Sequence, residues 1–202
     1  MKIDFEIIEA EILACGALCV NDFNNEAKDI LLTNTSNKKL LDMLLRFNVR
    51  LHCVGFESSV ISEFSANECV NFYDLAINLK VQKFDAIIDL QNKSVEHYGK
   101  MLKDSGILIV DLERLESSAI IHKNAHFNVL MPFCLPINFS NLGDFGTKYY
   151  LFMSNKFHPI ADFSLQKLDM LENLQYSNAK VYEAAFALPN YIRDKLKGVV
   201  KN

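Results

Sequence analysis

The sequence predicts an α/β fold, a doubly wound sheet of parallel strands with helices on both faces. Three observations carry that expectation. Short apolar runs bounded by polar turns recur along the chain, and segments with helical spacing of apolar residues stand between them. Only seven Gly and four Pro occur in 202 residues, so these segments are largely unbroken. Near the end, two strand-like runs follow one another with no helix between, which calls for an antiparallel closing hairpin.

Residues 5–20 place Phe5, Ile8, Ile12, Leu13, Ala17 and Val20 at helical spacing, and Glu6, Glu9 and Glu11 enrich the first half in acid. Residues 29–33 read as a short buried strand, followed by a polar turn through Asn37. A helix at 38–47 carries Leu40, Leu41, Leu44 and Leu45, and 49–54 is a second strand with Glu57 just past its end. This strand–helix–strand unit builds parallel pairing. A short helix at 58–64, capped by Ser58, leads to a weak strand at 69–73 with Asp74 after it. Residues 84–90 form a buried strand, 93–103 a helix, 107–112 the most apolar strand, and 112–123 an amphipathic segment. Strands at 127–131 and 148–153 flank a long loop holding Pro132, Pro136, Gly143 and Gly146. Helical segments at 162–171 and 180–199 close the chain, with a break at Pro189. Alternating units followed by two consecutive strands match the class I methyltransferase-like (Rossmann-like) pattern of a seven-stranded sheet with an antiparallel final hairpin. Residues 1–202 read as one domain, with no internal repeat or linker.

Composition narrows the function classes. Half the residues are hydrophobic and 23% are charged, as in a compact globular protein. A net charge of −4 offers no basic surface for nucleic acid. No run of about 18 apolar residues exists, so no membrane span is expected. Acidic residues in the first six positions argue against a secretory signal, and the expectation is a cytoplasmic protein. An odd count of five cysteines argues against a disulfide framework. Cys15 and Cys19 share a helix face, but no second short-spaced pair completes a metal site, and two small core residues is the favoured reading. The histidines are scattered, and His52, within a strand, reads as a core or boundary residue. Phe133, Phe139 and Phe145 read as a packed surface loop rather than a pocket cover.

In nucleotide-binding sheets the turn after the first strand is glycine-rich, so that backbone approaches the ligand. The turn at 33–38 contains no glycine. The chemistry is read instead from the tail. The run from Leu174 to Pro189, with Tyr176, Asn178 and an intact Ala-Ala-Phe-Ala-Leu-Pro at 184–189, resembles the C-terminal signature of the spermidine synthase family, the polyamine aminopropyltransferases. The resemblance extends in order over the whole chain.

The resemblance implies a methyltransferase-like fold that binds decarboxylated S-adenosylmethionine as co-substrate and transfers its aminopropyl group to putrescine. It implies no metal or bound cofactor. Carboxylates suit that chemistry, because both substrates are cationic and the attacking amine must lose a proton. Carried over position by position, the family's glycine loop is replaced at 33–38. Glu57 is the surviving acid toward the ribose, and Asp74 matches the acid toward the adenine. The family's two catalytic aspartates are not matched at 90–93, and Asp89, one position off, is the candidate base. On the leading helix Glu11 and Leu13 are kept, while Glu9 and Cys15 stand where the family has a tyrosine and a histidine. Tyr176 is kept in the tail, and Tyr182 replaces a histidine. The family's small N-terminal β-domain has no counterpart. The expected site residues are therefore Asp89 as catalyst, with Glu57, Asp74, Glu11 and Tyr176 binding substrate. The expected partners are a nucleoside and a polyamine, with a homodimer left open. The alternative is a family member that has lost catalysis and acts by binding.

Overall fold

The computed structural model describes residues 4–20, 26–33, 37–74, 83–90, 95–112, 121, 123–136, 147–198 and 200. Helix α1 (Phe5–Leu18) precedes strand β1 (Lys28–Thr33), helix α2 (Lys38–Leu44), strand β2 (Val49–Val54), helix α3 (Ser58–Phe64) and strand β3 (Val70–Tyr73). Strand β4 (Phe84–Asp89), helix α4 (Val95–Met101) and strand β5 (Leu102–Leu112) follow. The chain continues through β6 (Val129–Pro136) and β7 (Thr147–Ser154), then the short helices α5 (Leu165–Asp169), α6 (Ala179–Ala185) and α7 (Asn190–Lys195).

Among the described residues, the strands form one seven-stranded sheet in the order β3-β2-β1-β4-β5-β7-β6. The pairs from β3 across to β5 are parallel, and β7 runs antiparallel between β5 and β6. This is the doubly wound order with a reversed closing hairpin that the sequence predicts. Strand alternation divides the core in two. Ile30, Leu32, Ala86, Ile88, Ile107 and Ile109 face α1, α2, α3 and α6. Leu31, Ile87, Leu108 and Val110 face the layer that holds Tyr98 of α4, Ile121, Phe127, Ile192 and Leu196.

Several boundaries differ from the sequence reading. Helix α1 is buried at every residue from Ile8 to Leu18, Glu9 and Glu11 included, because it packs on the sheet beneath and the tail above. The two acids therefore serve tertiary partners, described below, rather than the helix dipole. Glu57, not Ser58, is the N-cap of α3, and its side chain makes no capping bond. Strand β5 starts at Leu102, inside the expected helix, because Phe84 pairs with Leu102 across a register shift before Ala86 meets Ile107. Lys103 then pairs with Asp85 at 2.8 Å.

Pro132 and Phe133 lie in β6 rather than in a loop. Pro132 is tolerated because β6 is the edge of the sheet, where one side of the strand needs no donor. Phe133 is 1% exposed and packs on Tyr150 and Phe186 at ring distances of 5.2 and 4.9 Å. Phe139 and Phe145, the turn 34–36 and most of 112–123 lie outside the described residues.

Candidate functional site

In an open parallel sheet, ligands sit beyond the carboxyl ends of the strands where the strand order reverses. Here that point lies between β1 and β4, whose last residues, Thr33 and Asp89, pair directly. Both are fully buried, and the Thr33 hydroxyl donates to Asp89 Oδ1 at 2.8 Å. Tyr98 of α4 joins them: burial and then the Asp89 charge push its phenol up, and a hydrogen bond with Thr33 partly opposes this. By alternation this group lies on the α4 face of the sheet.

A second polar group lies at the same end on the α1 face. Glu9 is 5% exposed and is held from three sides. Asn37 Nδ2 donates to its Oε2 at 2.8 Å, the Tyr150 hydroxyl donates to Oε1, and Lys148 Nζ lies 2.7 Å from Oε1. Asp111, paired with Tyr150 across β5 and β7, completes the group at 3.2 Å from Lys148 Nζ. Burial would lower the Lys148 pKa, but Glu9 and Asp111 outweigh it and hold the ammonium above the usual lysine value. Asn37 is also the N-cap of α2, accepting from Leu40 N at 3.2 Å. It thus ties the turn after β1 to α1.

The residues expected from sequence are distributed among three places. Glu11 is 1% exposed, and its carboxylate accepts from the backbone N–H groups of Gln175, Tyr176 and Ser177 at 2.7, 2.9 and 2.6 Å. Glu11 and the half-buried Tyr176 are therefore brought together, with Glu11 holding the turn that carries Tyr176. Asn178 follows as N-cap of α6, accepting from Val181 N at 3.0 Å. Asp89 lies on the opposite face of the sheet from this turn. Glu57 and Asp74 are exposed at the ends of the neighbouring strands β2 and β3, beyond the paired residues Val54 and Tyr73. Gly55 turns the chain there with φ of +74°, a conformation suited to glycine.

Sequence reasoning missed Glu9, Asn37, Asp111 and Lys148 as a group. Two local signals existed: Asn37 before a helical run is a capping pattern, and Glu9 occupies a position where the resembling family has a tyrosine. Nothing local connects Lys148, 139 residues from Glu9, to either.

The remaining candidates are structural. His52 is 5% exposed, with Nδ1 3.1 Å from the Tyr73 hydroxyl and Nε2 3.3 Å from Asp29 Oδ1. Cys15 and Cys19 are both buried. Among the described residues no group of His, Cys, Asp and Glu is arranged to hold a metal ion, and no helix is long and apolar enough to cross a membrane.

Comparison with known proteins follows this geometry. No protein-family model matches the chain. The polyamine aminopropyltransferase of Helicobacter acinonychis (strain Sheeba) is 26% identical over 219 residues, covering 98% of this chain and 80% of its own. A spermidine synthase from Thermotoga maritima has the same fold, with a TM-score of 0.70 at 19% identity over 95% of this chain and 73% of its own. Human methyltransferase-like protein 13, solved in complex with SAH, matches at a TM-score of 0.52 and 14% identity, covering 93% of this chain and 94% of its own.

Proposed function

We propose that this chain, which belongs to the spermidine synthase (polyamine aminopropyltransferase) family as a divergent member, transfers the aminopropyl group of decarboxylated S-adenosylmethionine to putrescine. The observation that carries the reading is the concentration of carboxylates around the carboxyl edge of the sheet: Glu9, Asp89 and Asp111 at its centre, Glu57 and Asp74 at the flank. Such an edge attracts two cationic substrates and offers a proton acceptor.

In the reaction the amine nitrogen attacks the aminopropyl carbon bonded to the sulfonium. The C–N bond forms as the C–S bond breaks, methylthioadenosine leaves, and the amine proton passes to a carboxylate. In this reading Asp89 is that base, Glu57 and Asp74 hold the nucleoside, and Tyr176 is a further substrate-binding residue. Glu11 acts through the turn that positions Tyr176.

A second reading is a family member that binds without turnover. Two observations favour it: Asp89 is fully buried against Thr33, and an ammonium, that of Lys148, already lies between Glu9 and Asp111. Decarboxylated S-adenosylmethionine or methylthioadenosine at millimolar concentration should raise the melting temperature under the transfer reading, and absence of any shift refutes that reading and leaves a family member that binds another partner. A transfer assay with putrescine then separates them. Asp89→Asn should lower turnover roughly 10²–10⁴-fold, the usual worth of a general base. Full retention of activity removes Asp89 from the role.

A further inference from the structure

The surroundings of Lys148 have the composition of a receptor for an alkylammonium ion. Its Nζ is 2.7 Å from Glu9 and 3.2 Å from Asp111. It also lies over two aromatic rings, 5.2 Å from the Tyr150 centroid and 5.9 Å from that of Phe5. Two carboxylates supply charge-assisted hydrogen bonds, and two ring faces supply cation–π attraction. With the lysine in place, two carboxylates and one ammonium still sum to a charge of −1.

The receptor is organised without the lysine. Asn37 and Tyr150 each donate to Glu9, and Asp111 is set by its strand pairing with Tyr150. The lysine side chain is 28% exposed, so the site has an opening to solvent. It also lies at the carboxyl edge, where this topology places ligands.

We propose that Glu9, Asp111, Tyr150 and Phe5 form a binding site for a primary alkylammonium group, and that Lys148 is its built-in occupant. A tethered occupant competes at a local concentration on the order of millimolar or higher. The wild-type chain therefore excludes free amines from this site. The inference rests on the cage geometry and stands whether or not the chain turns over.

The test is chemical rescue of Lys148→Ala. Propylammonium replaces the side-chain atoms that this substitution removes. The variant should melt below wild type. Propylammonium chloride should recover most of that loss, where equal concentrations of sodium chloride or tetramethylammonium chloride do not. Calorimetric affinity for propylammonium should be on the order of tenfold or more tighter in the variant than in wild type. Adding Glu9→Gln should abolish the response. Should Lys148→Ala fail to fold in plain buffer, the readout becomes folded yield on refolding in each salt. Recovery with propylammonium alone upholds the proposal. Equal outcomes in all three salts, including no recovery in any, overturn it, as does equal propylammonium affinity in wild type and variant.

Discussion

His52 shows how a single residue's surroundings become a property of the protein. Burial lowers its pKa, and the neighbouring Asp29 opposes this without reversing it. A neutral ring donates from Nε2 to Asp29 and accepts from the Tyr73 hydroxyl at Nδ1. Burial also works against ionised Asp29, but Arg50, bonded to it at 2.8 and 2.7 Å, and His52 outweigh that and hold the carboxyl below its ordinary range. The folded His52 pKa lies below the unfolded value, so the unfolded chain takes up the proton first as pH falls. Its contribution is complete above about pH 6.5 and is lost as pH drops through that value, with a slope of at most about 1.4 kcal/mol per pH unit for one proton. The urea midpoint of the wild type should therefore fall between pH 7.5 and 5.5, and His52→Gln should fall less steeply. Parallel slopes would exclude His52 as the source. Position 52 was legible as a buried histidine from strand alternation. Its partners were not, because Asp29 and Tyr73 belong to two different neighbouring strands.

At the scale of elements, the most family-specific stretch of the sequence proves to be a structural joint. Glu11 receives three backbone N–H groups from the turn before α6, Asn178 caps that helix, and Phe186 packs on Phe133, Tyr182 and Phe152. Two of the positions where the resembling family has histidines, Cys15 and Tyr182, are neighbours here: Cys15 is among the influences that raise the Tyr182 phenol, after burial. Hydrogen bonds to a charged group contribute roughly 1.5–3 kcal/mol each. Glu11→Ala, which leaves three amide donors without their acceptor, should destabilise the protein by about 3 kcal/mol or more. A loss below about 1 kcal/mol in denaturant unfolding would show that the turn holds without Glu11. Element existence was legible from periodicity, and boundaries were not. The start of β5 at Leu102 depends on pairing with Phe84, and Phe133 joins β6 because Tyr150 lies beside it.

Across the molecule, a mostly parallel sheet must be covered on both faces. The chain achieves this by crossing between α6 and α7: Phe186 joins the α1 layer, while Ile192 and Leu196 join the α4 layer. Ile192 is 7% and Leu196 is 6% exposed, so each truncation to Ala should cost about 2 kcal/mol. The double variant should unfold at markedly lower denaturant concentration and bind a hydrophobic dye. Unchanged stability would mean that α7 covers nothing the fold needs.

Strand and helix periods, the absence of a glycine loop, the reversed final hairpin and the family resemblance all reside in residues near one another in the chain, so composition and spacing sufficed to find them. The site does not. Its two polar groups, Thr33–Asp89–Tyr98 and Glu9–Asn37–Asp111–Lys148–Tyr150, draw on elements far apart in sequence and lie on opposite faces of the sheet. Charge pairing and burial depend on distance in space. Only the packed sheet brings Lys148 to Glu9, and only that packing places an ammonium between two carboxylates.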